Sequence, residues 1–383
     1  MRSYDAIVVG AGPAGSVTSL RLAREGASVL LLDRATFPRD KPCGGGLTYR
    51  AIRELPLDVT PVVEDVVDRF EFSFRYRLRF ERKSAASIIL MTQRRRLDAF
   101  LAEQAAAAGA EFRDGAKVSA VTEDGTVTVG EETLRAEVVV GADGVNGITT
   151  RSLGMKQGYR YGVALEGNVA YARTSEKRFR GRAVLELGVV PGGYGWVFAK
   201  GDHVNVGVGG WDSEGPRLRA HLAKLCAAHE ISLDAVEETR GYRLPLRRRE
   251  DALVKGRVML AGDAAGLVDP LSGDGMYEAF LSARLASGAA LDLLAGRADS
   301  VVPYAESLNA ALSSNASASW AAKRALDRFP RIVYGFARIP VVWRFADALL
   351  RGELASPGEA RGTMKAPLKI VKALGKIDER LAA

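Results

Sequence analysis

Gly10, Gly12 and Gly15, with the acid Asp33 downstream, have the types and spacing that let a backbone close around a pyrophosphate. Gly10 permits a tight turn, Gly12 lets the main chain approach a phosphate, and Gly15 lets the following helix pack closely. A helix starting at Pro13, with Ala14 in its first turn, offers unpaired N–H groups and a positive dipole end to that phosphate. Asp33 stands where it can accept hydrogen bonds from a ribose diol, with Arg34 beside it. Together these residues point to a bound dinucleotide. Taken alone, the glycine spacing would also suit an ordinary turn, and it does not separate FAD from NAD.

Position comes from the surrounding elements. Residues 4–9 are an apolar run of the kind that forms a buried parallel strand, and residues 13–25 carry Val17, Leu20 and Leu22 on one side of a helix that Gly26 stops. Residues 29–32 form a second strand ending at Asp33-Arg34. A further buried strand over 257–260 delivers Gly262-Asp263 at its carboxyl end, where open α/β sheets bind ligands. The run 270–275, with Gly273 and Gly275, then opens a long helix from Met276 through Leu294. A strand over 137–140 ends in Gly141-Ala142-Asp143-Gly144, with Arg151 beyond it.

On these three clusters the chain resembles the FAD-dependent oxidoreductases that share the fold of the aromatic hydroxylases. The resemblance makes FAD the expected cofactor, with Asp263 on the ribitol and the helix N-terminus at Met276 by the N1/O2 edge of the ring, stabilising negative charge on reduced flavin. Asp33 stands where glutamate is commoner, and Gly147 replaces a frequent serine. Pro42-Cys43-Gly44-Gly45-Gly46-Leu47, and the aromatic and glycine-rich stretch 193–209, resemble signatures of the geranylgeranyl reductase family. Ala199 departs from the proline usual there. Membership would imply that reduced FAD saturates isolated double bonds in prenyl chains of lipids, chlorophyll precursors or quinones, with NAD(P)H or reduced ferredoxin as electron donor. Arg94, four residues before Asp98, matches an arginine that contacts FAD phosphate or ribitol in relatives, and Gly44 and Gly45 are expected beside the flavin.

Elementary chemistry asks for the same parts. Saturating an unactivated alkene needs a hydride, a proton for the other carbon, and an apolar groove to hold the chain. Tyr194, Trp196 and Phe198 alternate along a strand and share one face, which is either such a groove or ordinary sheet core. Tyr194, Trp196 and Cys43 are the candidate catalytic residues. Cys43 could be a proton donor, a redox partner or a packing residue, whereas Cys226, midway along an amphipathic helix, reads as buried structure. The scattered histidines His203, His221 and His229 give no metal site.

The expected fold is α/β with two domains. A discontinuous FAD-binding Rossmann-like domain (1–60, 90–155, 250–295) interleaves with an antiparallel-sheet substrate domain (61–89, 156–249), and a helical basic region follows (296–383). Within the substrate domain, 66–82 alternates aromatic and polar residues as a strand or hairpin. The 383 residues carry a net charge of +8, and from Trp320 onward there are 13 Lys/Arg against 6 Asp/Glu, interleaved with aromatics. That region is either a packed helical tail with a basic polar face or a seat on an anionic membrane surface. No nucleic-acid motif accompanies the charge. The first apolar run leads straight into the glycine turn and no stretch is long enough to span a bilayer, so a cytoplasmic protein, peripheral on the inner face of the membrane, is expected. Two other functions use the same fold: a flavin monooxygenase acting on an aromatic or polyketide compound, and a non-catalytic prenyl carrier.

Overall fold

The structure, a computed structural model, describes residues 2–155, 158–246, 251–370 and 373. The domain limits expected near 156 and 250, and the end of the basic region, fall outside the described residues. Helices and sheets are mixed, with two large sheets and a three-stranded one. In the first, Arg2–Val9 lies between Val29–Leu32 and Glu132–Gly141, and Val258–Leu260 and Glu111–Arg113 extend the sheet on either side, all parallel. Ile7, Val8, Leu30, Leu31, Val139 and Leu260 have no exposed surface, as expected of parallel strands covered on both faces, which therefore read as unbroken apolar runs. Helices Pro13–Arg24, Arg94–Ala107 and Met276–Leu294 pack together with this sheet. Glu132–Gly141 is longer than its apolar core because its first half also pairs antiparallel with Thr126–Val129, which turns back on Val118–Val121 at Asp124-Gly125.

The parallel register has a direct consequence for position. Val9, Leu32, Gly141 and Leu260 end their strands at one edge of the sheet, so the turns after them leave side by side.

The second sheet runs Glu237–Leu246, Arg160–Ala170, His203–Trp211, Tyr194–Ala199, Arg182–Leu187, Arg69–Phe74, Leu78–Lys83. Its pairs are antiparallel except Arg182–Leu187 with Arg69–Phe74, which is parallel. The alternation over 66–82 resolves into the end of strand Asp65–Val67, which joins the three-stranded sheet, and a two-stranded hairpin, because Arg75 and Tyr76 take positive φ (51° and 61°) and reverse the chain. Strand Glu237–Leu246 has no counterpart in the sequence reading, and a short helix, Tyr49–Ile52, follows its Thr48 cap. Cys226 lies buried in helix Leu218–Ala228 against this sheet.

Trp196 pairs across strands with Gly207, and a Cβ built on Gly207 would stand 2.1 Å from the indole. The missing side chain lets the ring lie flat on the neighbouring strand. C-terminal to residue 300, helices Pro303–Arg328, Pro330–Ala337 and Pro340–Leu350 each begin at a proline, which tolerates the first helical turn and breaks whatever precedes it.

Gly207→Ala should therefore lower stability by about 1–3 kcal/mol through overpacking and move the tryptophan emission. Gly209→Ala is the control, since its nearest atoms would be Val163 O at 3.4 Å and the Ala164 Cβ at 3.5 Å. Urea unfolding midpoints that fall equally for both would remove this account of the glycine strand.

Candidate active site

One continuous cavity of about 1110 Å³ joins the carboxyl edge of the first sheet to one face of the second. That is at or above the usual range of about 300–1,000 Å³ for ligand sites, enough for a dinucleotide and part of a second molecule. All three glycine clusters line it, through Gly10, Gly12 and Ala14, through Ala142 to Gly147, and through Gly262, Asp263, Gly273, Gly275 and Met276.

At the first cluster the glycines divide by duty. Gly10 has φ +102°, and a Cβ on Gly15 would fall 1.8 Å from Gly10 O, so both are demanded by the fold of the turn itself. Gly12 is different. A Cβ there would meet only Arg39 Nη2, at 3.6 Å, because that side of the residue faces the open cradle. Asp33 is buried, and its two carboxylate oxygens accept from Ala11 N (2.8 Å) and Ala35 N (2.9 Å). Lone pairs remain for a sugar hydroxyl. Arg34 is exposed at the rim.

Arg94 is buried and donates through two nitrogens to Asp98 (2.7 and 2.8 Å), which also pairs with Arg39 at 3.0 Å. Arg39 also reaches Asp33 at 3.6 Å, so two carboxylates hold these two guanidinium groups at the cavity wall. Asp263 accepts from Lys41 Nζ (3.0 Å) and from Tyr242 Oη (2.7 Å). Burial pushes this carboxyl up, but Lys41 and Tyr242 outweigh it and hold it below its ordinary range. Asp143 accepts from the Thr149 N and Oγ1 through Oδ2, while its buried Oδ1 lacks a protein partner. The same carboxylate explains Gly147, where a Cβ would lie 2.2 Å from Asp143. At the start of helix Met276–Leu294, Asp274 Oδ1 accepts from Met276 N (2.8 Å), and burial, reinforced by Asp269, pushes the Asp274 carboxyl up to about 6.

An open glycine cradle, two fixed guanidinium groups beside it, a buried acceptor at Asp143 and a polar pair at Asp263 suit a pyrophosphate, ribose and ribitol. The residues fit FAD.

Beyond them lies the aromatic strand. Tyr194, Trp196 and Phe198 all line the cavity, with ring centroids 6.1 Å and 6.3 Å apart along the row. Tyr194 Oη donates to Ser272 O, tying the strand to the loop before Met276. Trp196 Nε1 donates to Asn205 Oδ1 (2.8 Å). The loop of Cys43 to Gly46 lies against this row: a Cβ on Gly44 would stand 3.0 Å from the Phe198 ring, and one on Gly45 would stand 1.8 Å from Lys200 Nζ. Cys43 lines the cavity, its Sγ accepts from Gly45 N (3.4 Å), and its own N–H donates to Glu166 Oε1 at 2.6 Å. Phe70, Phe72, Ile89, Leu185, Trp343 and Leu350 continue the wall as an apolar arm.

Five functional neighbours escaped the sequence reading: Arg39, Lys41, Glu166, Lys200 and Tyr242. Glu166 shares the cavity face with Gly162 and Ala164 by strand alternation, and burial pushes its carboxyl up. An acid at an inward position of an apolar strand was the available signal. Lys200 is buried with Nζ on Thr92 O (2.6 Å), and burial pushes its pKa down. Tyr242 lies on the unanticipated strand.

A family model described as an FAD binding domain matches residues 3–300. Menaquinone reductase of Mycobacterium tuberculosis is 34% identical over 312 residues, covering 74% of this chain and 76% of that protein. Geranylgeranyl diphosphate reductase of Rhodobacter capsulatus is 33% identical over 310 residues, 76% of each chain. A solved geranylgeranyl bacteriochlorophyll reductase-like protein from Thermoplasma acidophilum superposes with TM-score 0.77 at 22% identity, over 91% of this chain and 99% of that one, which shows the shared fold.

Two outcomes follow at this site. Gly12→Ala should leave the thermal midpoint of the apoprotein unchanged and weaken FAD binding at least about tenfold, because the added methyl enters the phosphate cradle; Gly15→Ala should destabilise the fold. Equal flavin titrations for Gly12→Ala and the native chain would refute the cradle. Asp274 has its folded pKa raised above the unfolded value, so its ionised form costs stability, from the onset near pH 4 to the full amount above pH 6. Asp274→Asn keeps an acceptor for Met276 N without the charge. Its stability gain should be absent at pH 4 and reach about 1–3 kcal/mol at pH 8, in unfolding experiments on the apoprotein.

Proposed function

We infer the reaction from the family: the chain belongs to the geranylgeranyl reductase family of FAD-dependent oxidoreductases, and we propose that its substrate is a polyprenyl lipid or quinone whose carbon–carbon double bonds it saturates. The observation that carries this is the cavity's second half, where the aromatic row and an apolar arm follow directly on the FAD cradle. A flat greasy slot of that kind suits an isoprenoid chain and offers an aromatic acid or sugar few polar partners.

When bound and reduced, FAD supplies a hydride equivalent to one alkene carbon. The chain's own residues do the rest. The Gly12 turn, Arg39 and Arg94 would hold the phosphates, with Asp98 positioning the two guanidinium groups, and Asp263 with Lys41 and Tyr242 would hold the ribitol. Trp196 and Phe198 press the substrate flat and exclude water. Cys43 gives its thiol proton to the second carbon, and Glu166 is the buried carboxyl that fixes the Cys43 backbone. Tyr194 keeps its proton, since burial and then Asp274 push its pKa up; it holds the strand to the Ser272 loop. Electrons enter from NAD(P)H or a reduced ferredoxin, one pair for each double bond. The basic C-terminal region lies against the anionic membrane that carries such a lipid.

The test is anaerobic. Enzyme reduced by dithionite should be reoxidised on adding geranylgeranyl diphosphate or a menaquinone, with a product heavier by two hydrogens per double bond. Cys43→Ala should bind flavin normally and slow that reoxidation about 100-fold or more. Failure of every prenyl compound to reoxidise the enzyme, with oxygen and an aromatic substrate yielding a hydroxylated product, would instead identify a monooxygenase.

A further inference from the structure

Two segments far apart in sequence meet on one outer face. Hairpin strands Arg69–Phe74 and Leu78–Lys83 stack Phe72 on Phe80 (centroids 5.2 Å), and the C-terminal helices close over that aromatic side. Tyr334 packs 5.3 Å from both Phe74 and Phe80, and its Oη donates to Leu78 O (2.8 Å). Trp343 stands 5.8 Å from Phe70, and its Nε1 donates to Lys83 O (3.3 Å). Arg82 donates to Arg338 O. The tail is thus a packed element on its inner side.

The outer side is a separate matter. The hairpin presents Arg75 and Arg77 at its tip, while Arg79 (on Ala228 O, 3.1 Å), Glu81 and Lys83 (on Asp68, 3.4 Å) alternate to the other side of the strand from Leu78, Phe80 and Arg82, and the helices present Arg328, Arg331, Arg338 and Arg344 with no acid between residues 328 and 344. Among these cations three large aliphatic side chains stand out in solvent: Leu78 (50% exposed), Ile332 (47%) and Ile339 (39%). Trp343, Ala346 and Leu350, one stripe of helix Pro340–Leu350, line the cavity's apolar arm, while Arg344 of the same helix is exposed. One helix therefore borders both the cationic face and the greasy slot.

We propose that the hairpin tip and the helices Pro330–Ala337 and Pro340–Leu350 form a single docking surface for an anionic lipid bilayer. The arginines meet the headgroups, Leu78, Ile332 and Ile339 reach below them, and helix Pro340–Leu350 is the wall past which a prenyl chain enters the cavity. The choice of a bilayer rests on the prenyl-lipid reading. Apolar residues interleaved with the cations, and continuity with an apolar cavity, favour lipid over nucleic acid, whose phosphates need the cations alone.

The experiment is sedimentation of the FAD-loaded full chain with vesicles of phosphatidylcholine alone or with 30 mol% phosphatidylglycerol, at low and high salt. Binding to the anionic vesicles, weakened by salt, is expected. Arg77→Ser/Arg331→Ser/Arg344→Ser should weaken it by about 100-fold, near fivefold per cation, and Leu78→Ser/Ile332→Ser should weaken it at all salt concentrations. Flavin content and circular dichroism check that both variants are folded. In detergent both should reduce a prenyl substrate at the native rate, so loss on vesicles alone supports the surface. Wild-type protein that ignores anionic vesicles, that binds duplex DNA more tightly than vesicles, or that forms a dimer abolished by Leu78→Ser/Ile332→Ser overturns the proposal. Vesicle binding without any reduction in detergent supports the surface and refutes the prenyl reading instead.

Discussion

The site depends on main chain coming closer to its neighbours than any side chain would allow. The helix after the first strand touches the turn that launches it, since a Cβ on Gly15 would overlap Gly10 O. The Cys43 to Gly46 loop presses on Thr92 O and Lys200 where Gly45 sits, and the Trp196 indole lies on Gly207. Each contact brings a rigid backbone or ring into the cavity wall without a flexible side chain between. What results is a slot whose shape is set by covalent geometry and sheet register, with little freedom left in its walls.

Charge is organised around that slot by pairing. Burying an ion without a partner costs far more than a hydrogen bond returns, so the carboxylates in the wall carry cations or N–H groups. Asp98 holds Arg94 and Arg39, and Asp263 holds Lys41 while accepting from Tyr242. These pairs also join parts of the chain. Lys41 comes from the glycine loop, Tyr242 from the second sheet and Asp263 from the first, so the polar contact that would orient a ribitol also fixes the two sheets to each other. Asp143, Asp274 and Glu166 are exceptions, acids whose burial is only partly offset by their partners.

Much of this was legible in the chain. A parallel strand covered on both faces must be apolar throughout, so 4–9, 29–32 and 257–260 announce themselves, and the glycine clusters at their ends mark the edge where a ligand binds. Strand Glu237–Leu246 did not, because an edge strand with most of its length in solvent keeps little apolar periodicity, and four of its first five residues are polar. Glu166, Lys200 and Tyr242 were hidden for another reason: their partners Cys43, Thr92 and Asp263 are remote in sequence and meet only through sheet register. The tail presented two alternatives, and the packing answers one side of each. Its Tyr334 is buried and its half-buried Trp343 packs on Phe70, while Arg331, Arg338 and Arg344 lie at the surface.

The boundary of the FAD-binding match carries a further implication. It ends at residue 300, yet Trp343, Ala346 and Leu350 form part of the cavity wall. The glycine turns and acids proposed to hold the cofactor therefore lie within the shared region, while one side of the apolar arm is contributed from outside it. That side is a single amphipathic helix whose Trp343 ring rests on Phe70 and Phe72, with the indole N–H on Lys83 O. Apolar packing tolerates changes of shape better than buried polar networks tolerate loss of a partner. A chain built this way can alter the length or width of its greasy arm by altering one helix, while Asp263, Arg94 and the Gly12 cradle stay as they are.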